Sequence, residues 1–174
     1  MITTRRYALW PLIASILVVA AITGCGEATS DQPYAQLSGT VERVVDGDTI
    51  VVNLGDRIER VRYIGIDTPE TVKPNAPVGC FGPQASHANK QLLPAGSKVR
   101  LVLDAEPRDR YGRLLAYVYA GGTAGKELFI NADLVRRGYA DTLRFPPNTS
   151  HAAQFAQLRR AASHDRLGLW QYCR

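Results

Sequence analysis

Apolar and polar positions change rhythm several times along this chain. Ala8 to Ile22 is mostly apolar and is broken by Pro11. From about Leu37 the chain turns to short β-branched runs: Thr40 to Val45, Thr49 to Leu54, and Arg57 to Ile66. In the last of these, Ile58, Val61, Ile64 and Ile66 sit among charges. Asp46-Gly47 and Gly55-Asp56 separate the runs, so they read as three antiparallel strands joined by tight turns. Gly82-Pro83 then opens a helix to about Leu93, with Ala85, Ala88 and Leu92 on one face and Pro94 after it. Ser97 to Asp104 alternates, with Val99, Leu101 and Leu103 on one side and Lys98, Arg100 and Val102 on the other. It predicts a fourth strand, and Arg113 to Ala120 a fifth. A short helix is expected over Ile130 to Arg137, stopped by Gly138. A longer one is expected from about Ser150 to Asp165, with Phe155, Leu158 and Ala162 on one face.

Five strands with a helix between the third and fourth, and two helices after the fifth, predict a mainly β fold with helices. The order fits a five-stranded Greek-key barrel of the oligonucleotide-binding (OB-fold) kind, carrying three helices. No internal repeat or low-complexity tract interrupts this order.

The first 24 residues stand apart. Arg5 and Arg6 precede the apolar run, which is shorter than the roughly 20 residues a membrane span needs. They read as the charged and apolar regions of a signal peptide over residues 1–24. Ile22-Thr23-Gly24-Cys25 has the form of a lipobox, so Cys25 is expected to become the acylated N-terminus of an exported lipoprotein. An uncleaved signal anchor, or an ordinary cleaved signal with a chance cysteine, is the other reading. Residues 26–36 are small and polar and read as a flexible tether. The folded domain is then expected over residues 37–174. It would be held by lipid to the bacterial cell envelope, at the cell membrane or the outer membrane, outside the cytoplasm.

Export changes the meaning of the other two cysteines. In an oxidising compartment Cys80 and Cys173 form an even pair and are expected to be disulfide-bonded; two free thiols are the alternative. Neither lies in a C-x-x-C motif or beside a histidine, which argues against a zinc site. The formal net charge of the whole chain is +5, with hydrophobic content 45% and charged content 21%. Removing Arg5 and Arg6 with the leader leaves a small positive excess, a mild bias toward polyanions.

Three short clusters carry candidate chemistry: Asp46-Gly47-Asp48-Thr49, then Arg62 to Thr71 (RYIGIDTPET), then Arg108-Asp109-Arg110-Tyr111-Gly112-Arg113. Each has an ordinary reading as a turn, a loop or a solvated hairpin. Together they form a chemical set. Phosphodiester hydrolysis needs neutralised charge, an oriented water and a base. Asp48 and Asp67 offer carboxylates to a hard cation, and Glu70 can take a proton from water. Arg62 and Arg113 carry planar forks that match phosphate oxygens. Oxygen donors without thiolates or clustered imidazoles favour Ca²⁺ or Mg²⁺ over zinc. His87, His151 and His164 are scattered and read as surface residues.

In order and spacing these clusters resemble those of the staphylococcal nuclease family. The likeness runs from about Leu37 to Trp170 and takes in Leu115-Ala116-Tyr117 and Leu134-Val135-Arg136. The resemblance implies a calcium-dependent endonuclease acting on DNA and RNA; a monomer is expected, though no residue pattern in the sequence fixes the oligomeric state. It implies one Ca²⁺ held by Asp48, Asp67 and the carbonyl of Thr68. It gives Glu70 the role of general base and Arg62 and Arg113 the binding of the reacting phosphate. Arg110 and Tyr111 fall where the family contacts a terminal phosphate, and Asp46 at a turn beside the first metal ligand. The implied reaction breaks the bond from phosphorus to the 5′ oxygen and leaves 3′-phosphates. Two features sit awkwardly. Strict alternation along one strand puts Arg62 and Asp67 on opposite faces, so the strand must bulge or end near Gly65. Where the family carries tyrosines after the short helix, this chain has Asp141-Thr142-Leu143-Arg144-Phe145, and Arg144 and Phe145 can supply charge and stacking. The rival readings are a non-catalytic nucleic-acid-binding OB-fold lipoprotein and a structural envelope lipoprotein. Neither needs the complete set of five charged residues.

Overall fold

The computed structural model describes residues 34–71, 77–121 and 126–173. The expected signal peptide over residues 1–24, Cys25 and most of the expected tether lie outside the described residues. The elements in chain order are β1 (Gln36–Asp46), β2 (Thr49–Asn53), β3 (Ile58–Tyr63), β4 (Ile66–Asp67), α1 (Gly82–Leu92), β5 (Lys98–Val102), β6 (Leu114–Gly121), β7 (Glu127–Phe129), α2 (Ile130–Arg136), β8 (Asp141–Thr142), α3 (Ala152–His164) and α4 (Leu169–Tyr172).

The sheet order is β3-β2-β1-β5-β6-β7, and a further parallel pairing joins β3 to β6. That pairing closes β1, β2, β3, β5 and β6 into the expected five-stranded barrel and leaves β7 as an addition on β6. Closure follows from β1, which is long enough to serve two partners. Its first half pairs with β5 (Gln36↔Val102 to Thr40↔Lys98) and its second with β2 (Thr40↔Asn53 to Asp46↔Thr49). Register shifts between Val41 and Arg43 and between Val44 and Asp46 bend it around the core. Val41, Ile50, Val52, Val61, Tyr63 and Leu101 fill the interior. In β6, Leu114 to Val118 are all buried, because one face meets the barrel interior and the other is covered by helices.

Four elements differ from expectation. The third strand does not run to Ile66: β3 ends at Tyr63, and Ile66-Asp67 pairs separately with β8. The elements β7, β8 and α4 are two to four residues long and exist through tertiary partners rather than through their own periodicity. Among the described residues there are thus four helices, the three expected ones and the four-residue α4. His151 is also not a plain surface residue, since its ring lies 4.5 Å from Tyr117 and 4.9 Å from Phe129.

Two ties set the end of β3. Ile64 N–H donates to the Ala116 carbonyl at 3.0 Å. Asn131, fully buried on α2, accepts from Val118 N–H and donates through Nδ2 to the Ile64 carbonyl, both at 2.9 Å. One side chain thus joins α2, β6 and the end of β3. Asn131→Ala leaves two buried backbone groups unpaired and is expected to lower stability by roughly 2–5 kcal/mol. Urea unfolding checks this, and a loss below about 1 kcal/mol would remove Asn131 as the tie.

Cys80 and Cys173 are disulfide-bonded, with 5.8 Å between Cα atoms and a sequence separation of 93. The bond joins the start of α1 to the end of α4. Beside it the Phe81 ring lies between Tyr139 and Tyr172, 5.6 Å from each.

Candidate active site

The site begins at the tight turn between β1 and β2. Asp46 Oδ1 accepts from Gly47 N–H at 2.8 Å and from the Thr71 hydroxyl at 2.6 Å, and its Oδ2 accepts from Thr71 N–H at 3.2 Å. Asp46 is therefore committed to holding the turn against the segment that carries Glu70. Asp48 Oδ2 accepts from both the backbone N–H and the hydroxyl of Thr68 at 2.9 Å. Gly47 is needed for that approach, because a Cβ there would stand 2.7 Å from Thr68 Oγ1.

Arg62 lies opposite Thr49 on the outer face of β3. One arm of its guanidinium contacts Asp48 Oδ2, and the other reaches Asp67 Oδ1 at 2.6 Å. The apparent conflict between Arg62 and Asp67 is resolved at Gly65. Its φ of +81° turns the chain between β3 and β4, so Asp67 returns to the face of Arg62. A Cβ at Gly65 would also lie 2.5 Å from the Phe155 ring. Gly65→Ala is expected to cost about 2–5 kcal/mol from left-handed backbone strain plus overpacking, and to lower activity by displacing Asp67. Thermal unfolding together with a cleavage assay checks both; a variant as stable as the parent would refute the fit.

Burial pulls the Arg62 guanidinium below its usual pKa, against the Asp67 charge, which favours the cation. Arg113, on another loop, is held by Asp109. The Asp109 carboxylate accepts from Tyr111 N–H at 2.9 Å, Arg113 N–H at 3.0 Å and Arg113 Nε at 2.6 Å. Arg108 in turn forks onto Glu59 at 2.6 and 3.0 Å and fixes this loop to β3. Those hydrogen bonds from Arg108 hold the Glu59 carboxyl below its usual pKa. Glu70 is exposed; its Oε1 accepts from Thr71 N–H at 3.1 Å, and its carbonyl from Gly79 N–H at 2.7 Å, next to Cys80.

Asp46, Asp48, Thr49, Arg60, Arg62, Asp67, Thr68, Glu70 and Arg113 line one polar cavity of about 180 Å³. All six residues expected to carry catalysis and metal binding meet there. A wider cavity of about 510 Å³ adjoins it through Arg60, Glu70 and Arg113 and is bounded by Tyr111 and Gly112. Tyr111 is thus at the cleft. Arg110 is not among its lining residues but donates to the Tyr111 hydroxyl at 2.6 Å. Arg144 lies elsewhere, on an apolar cavity with Leu143 and Phe155. None of the three histidines lines the polar cavity.

The donors suit a hard cation, since two carboxylates converge within reach of one guanidinium and no thiolate or imidazole is near. Among the described residues no group of three His, Cys, Asp or Glu side chains has metal-binding geometry. A cation here would rest on Asp48 and Asp67, with backbone and water oxygens completing its shell.

Sequence reasoning did not assign roles to Asp109, Arg108 or Glu59. Asp109 was findable: Asp at the first position and Gly112 at the fourth mark a type I turn, and that turn aims Arg113.

The sequence has counterparts among known proteins. A family profile described as staphylococcal nuclease homologue matches residues 60–172. The chain is 44% identical over 131 residues to a thermonuclease of Staphylococcus intermedius, covering 75% of this chain and 74% of that protein. It is 42% identical over 165 residues to a thermonuclease of Staphylococcus hyicus, covering 89% and 94%. It is 42% identical over 132 residues to an endonuclease of Bacillus subtilis, of which it spans 60%.

Proposed function

The chain belongs to the staphylococcal nuclease family, and from that premise we propose a calcium-dependent phosphodiesterase that cuts DNA and RNA and leaves 3′-phosphates. As a member of that family the chain is a nuclease and a hydrolase. The observation that carries the proposal is the convergence of Asp48, Arg62, Asp67, Glu70 and Arg113 on one polar cavity.

In the proposed reaction a water oxygen attacks phosphorus and the bond to the 5′ oxygen breaks. Glu70 accepts the proton of the attacking water. Arg62 and Arg113 donate to the non-bridging oxygens as charge builds on them. Arg62 is already desolvated, so its interaction with that charge is not weakened by water. Arg113 stands on the cleft with Asp109 fixing its direction, and it also donates a hydrogen bond to the departing 5′ oxygen, which takes up a proton from solvent water to become the 5′-hydroxyl. Asp48, Asp67 and the Thr68 carbonyl would hold one Ca²⁺, which neutralises phosphate charge and polarises the phosphoryl group when bound. Arg110 and Tyr111 would contact a further phosphate at the rim.

We also propose that the enzyme is an exported monomer anchored through lipidated Cys25, with its domain outside the cytoplasm. The supporting features are the leader and lipobox pattern and the Cys80–Cys173 disulfide.

The test is cleavage of single-stranded DNA by the purified chain with Ca²⁺ and then with excess chelator, followed by analysis of product ends. Calcium-dependent products ending in 3′-phosphates are expected. Binding without cleavage in any divalent ion would overturn the catalytic reading in favour of a binding module.

A further inference from the structure

The arginines of the outer face continue past the catalytic cavity. Thr49 pairs with Arg62, and two residues away Val51 pairs with Arg60 on β3 and with Arg43 on β1. Directly opposed residues project from the same face of a sheet. Arg62, Arg60 and Arg43 therefore share the outer face, with Val41, Ile50, Val52 and Val61 turned into the core. Arg60 lies two residue rises from Arg62, about 6.6 Å, and Arg43 two strand spacings from Arg60, about 9.6 Å.

These cations differ in their commitments. Arg62 is held by Asp48 and Asp67, and Arg113 by Asp109. Arg60 and Arg43 are exposed, and among the described residues neither has a hydrogen-bond or ion-pair partner. Arg60 lines both the catalytic cavity and the wider one beside it. An uncommitted guanidinium at the mouth of a phosphate site is disposed to take a second phosphate, since its fork matches phosphate oxygens and no carboxylate must first be displaced.

We propose that Arg60 and Arg43 form a track for the polynucleotide backbone beyond the scissile phosphate, and that this track makes the enzyme favour longer strands over dinucleotides. Arg60 binds the phosphate next to the one being cut, and Arg43 the one after it. The contacts are to phosphate only, so the track carries no base preference. The inference rests on the nuclease reading of the adjoining cavity.

The test compares decathymidylate with dithymidylate as substrates for the parent chain, Arg60→Ala, Arg43→Ala and the double variant, with Ca²⁺ present. The ratio of kcat/KM for the decamer over the dimer is expected to fall about tenfold in Arg60→Ala, the scale of one charge-assisted hydrogen bond, and further in the double variant. The loss should appear mainly in KM. The dependence of log kcat/KM on log salt for the decamer should become shallower by about 0.7 for each phosphate contact removed. An unchanged ratio and slope in the double variant would overturn the track. Circular dichroism of each variant separates loss of the track from loss of fold. If the parent cleaves neither substrate, the nuclease reading fails on its own. Anisotropy of labelled decathymidylate then decides the track, which predicts weaker, less salt-sensitive binding in the double variant and is overturned by equal binding.

Discussion

Glu70→Gln is expected to lower kcat by about 10²–10⁴-fold, the usual worth of a positioned general base, with little change in KM. The substitution keeps size and removes only the ability to accept a proton. The backbone that places Glu70 is held by Gly79 N–H on its carbonyl, and Thr71 beside it by Asp46. Neither contact needs the carboxylate, and Gln keeps an oxygen for Thr71 N–H, so unfolding midpoints should lie close to those of the parent. Arg113→Ala is the companion case and should cost about 2.7–4 kcal/mol of transition-state stabilisation, the scale for one preorganised donor. It strands Asp109, but that carboxylate keeps the backbone N–H groups of Tyr111 and Arg113 and is expected to stay in place. Steady-state kinetics beside thermal unfolding checks both. A rate near that of the parent in either variant removes that residue from the mechanism.

Loss of the disulfide is expected to be the largest effect on stability. The bond closes 93 residues, and a loop of that length is worth about 4–5 kcal/mol in the chain-entropy picture, with about 2–5 kcal/mol the usual cost of removal from a small domain. The staple also lies where packing is thin. Tyr172 is 66% exposed, and α4, only four residues long, has no buried residue. Cys80→Ser/Cys173→Ser should therefore unfold at much lower denaturant concentration than the oxidised parent. Equal midpoints would show that packing of α4 suffices without the bond. Alkylation of the unfolded parent without reductant should label neither cysteine.

Much of the site was legible because its parts are local. Asp48 stands in an Asp-Gly turn, Glu70 follows a Thr-Pro break, and Arg113 follows a Gly-ended turn, so each announces its own loop. What was not legible is how the parts meet. The return of Asp67 to Arg62 depends on the angle at Gly65 and on β8, which forms through its pairing with β4. The span of β1 was underestimated at its start, because Gln36 to Gly39 become strand through β5, far along the chain. The scaffolding salt bridge of Arg108 with Glu59 joins residues 49 apart, and no local pattern signals it. Arg144, read with Phe145 as a source of charge and stacking, lies on the apolar cavity beside Phe155, and no local pattern signals that place.

The cysteine pair also governs what a proteolytic cut would do to the molecule. A single peptide cut anywhere between Cys80 and Cys173 leaves two fragments that remain one molecule. Asp48, Arg62, Asp67 and Glu70 would lie on the first fragment, and Arg113 on the second when the cut falls before it and on the first when it falls after, so both arginines stay in one molecule either way. Nicked enzyme would run as intact chain on a gel without reductant and as two bands with it. It could refold around the same cleft, since the bond preserves the local concentration of its halves.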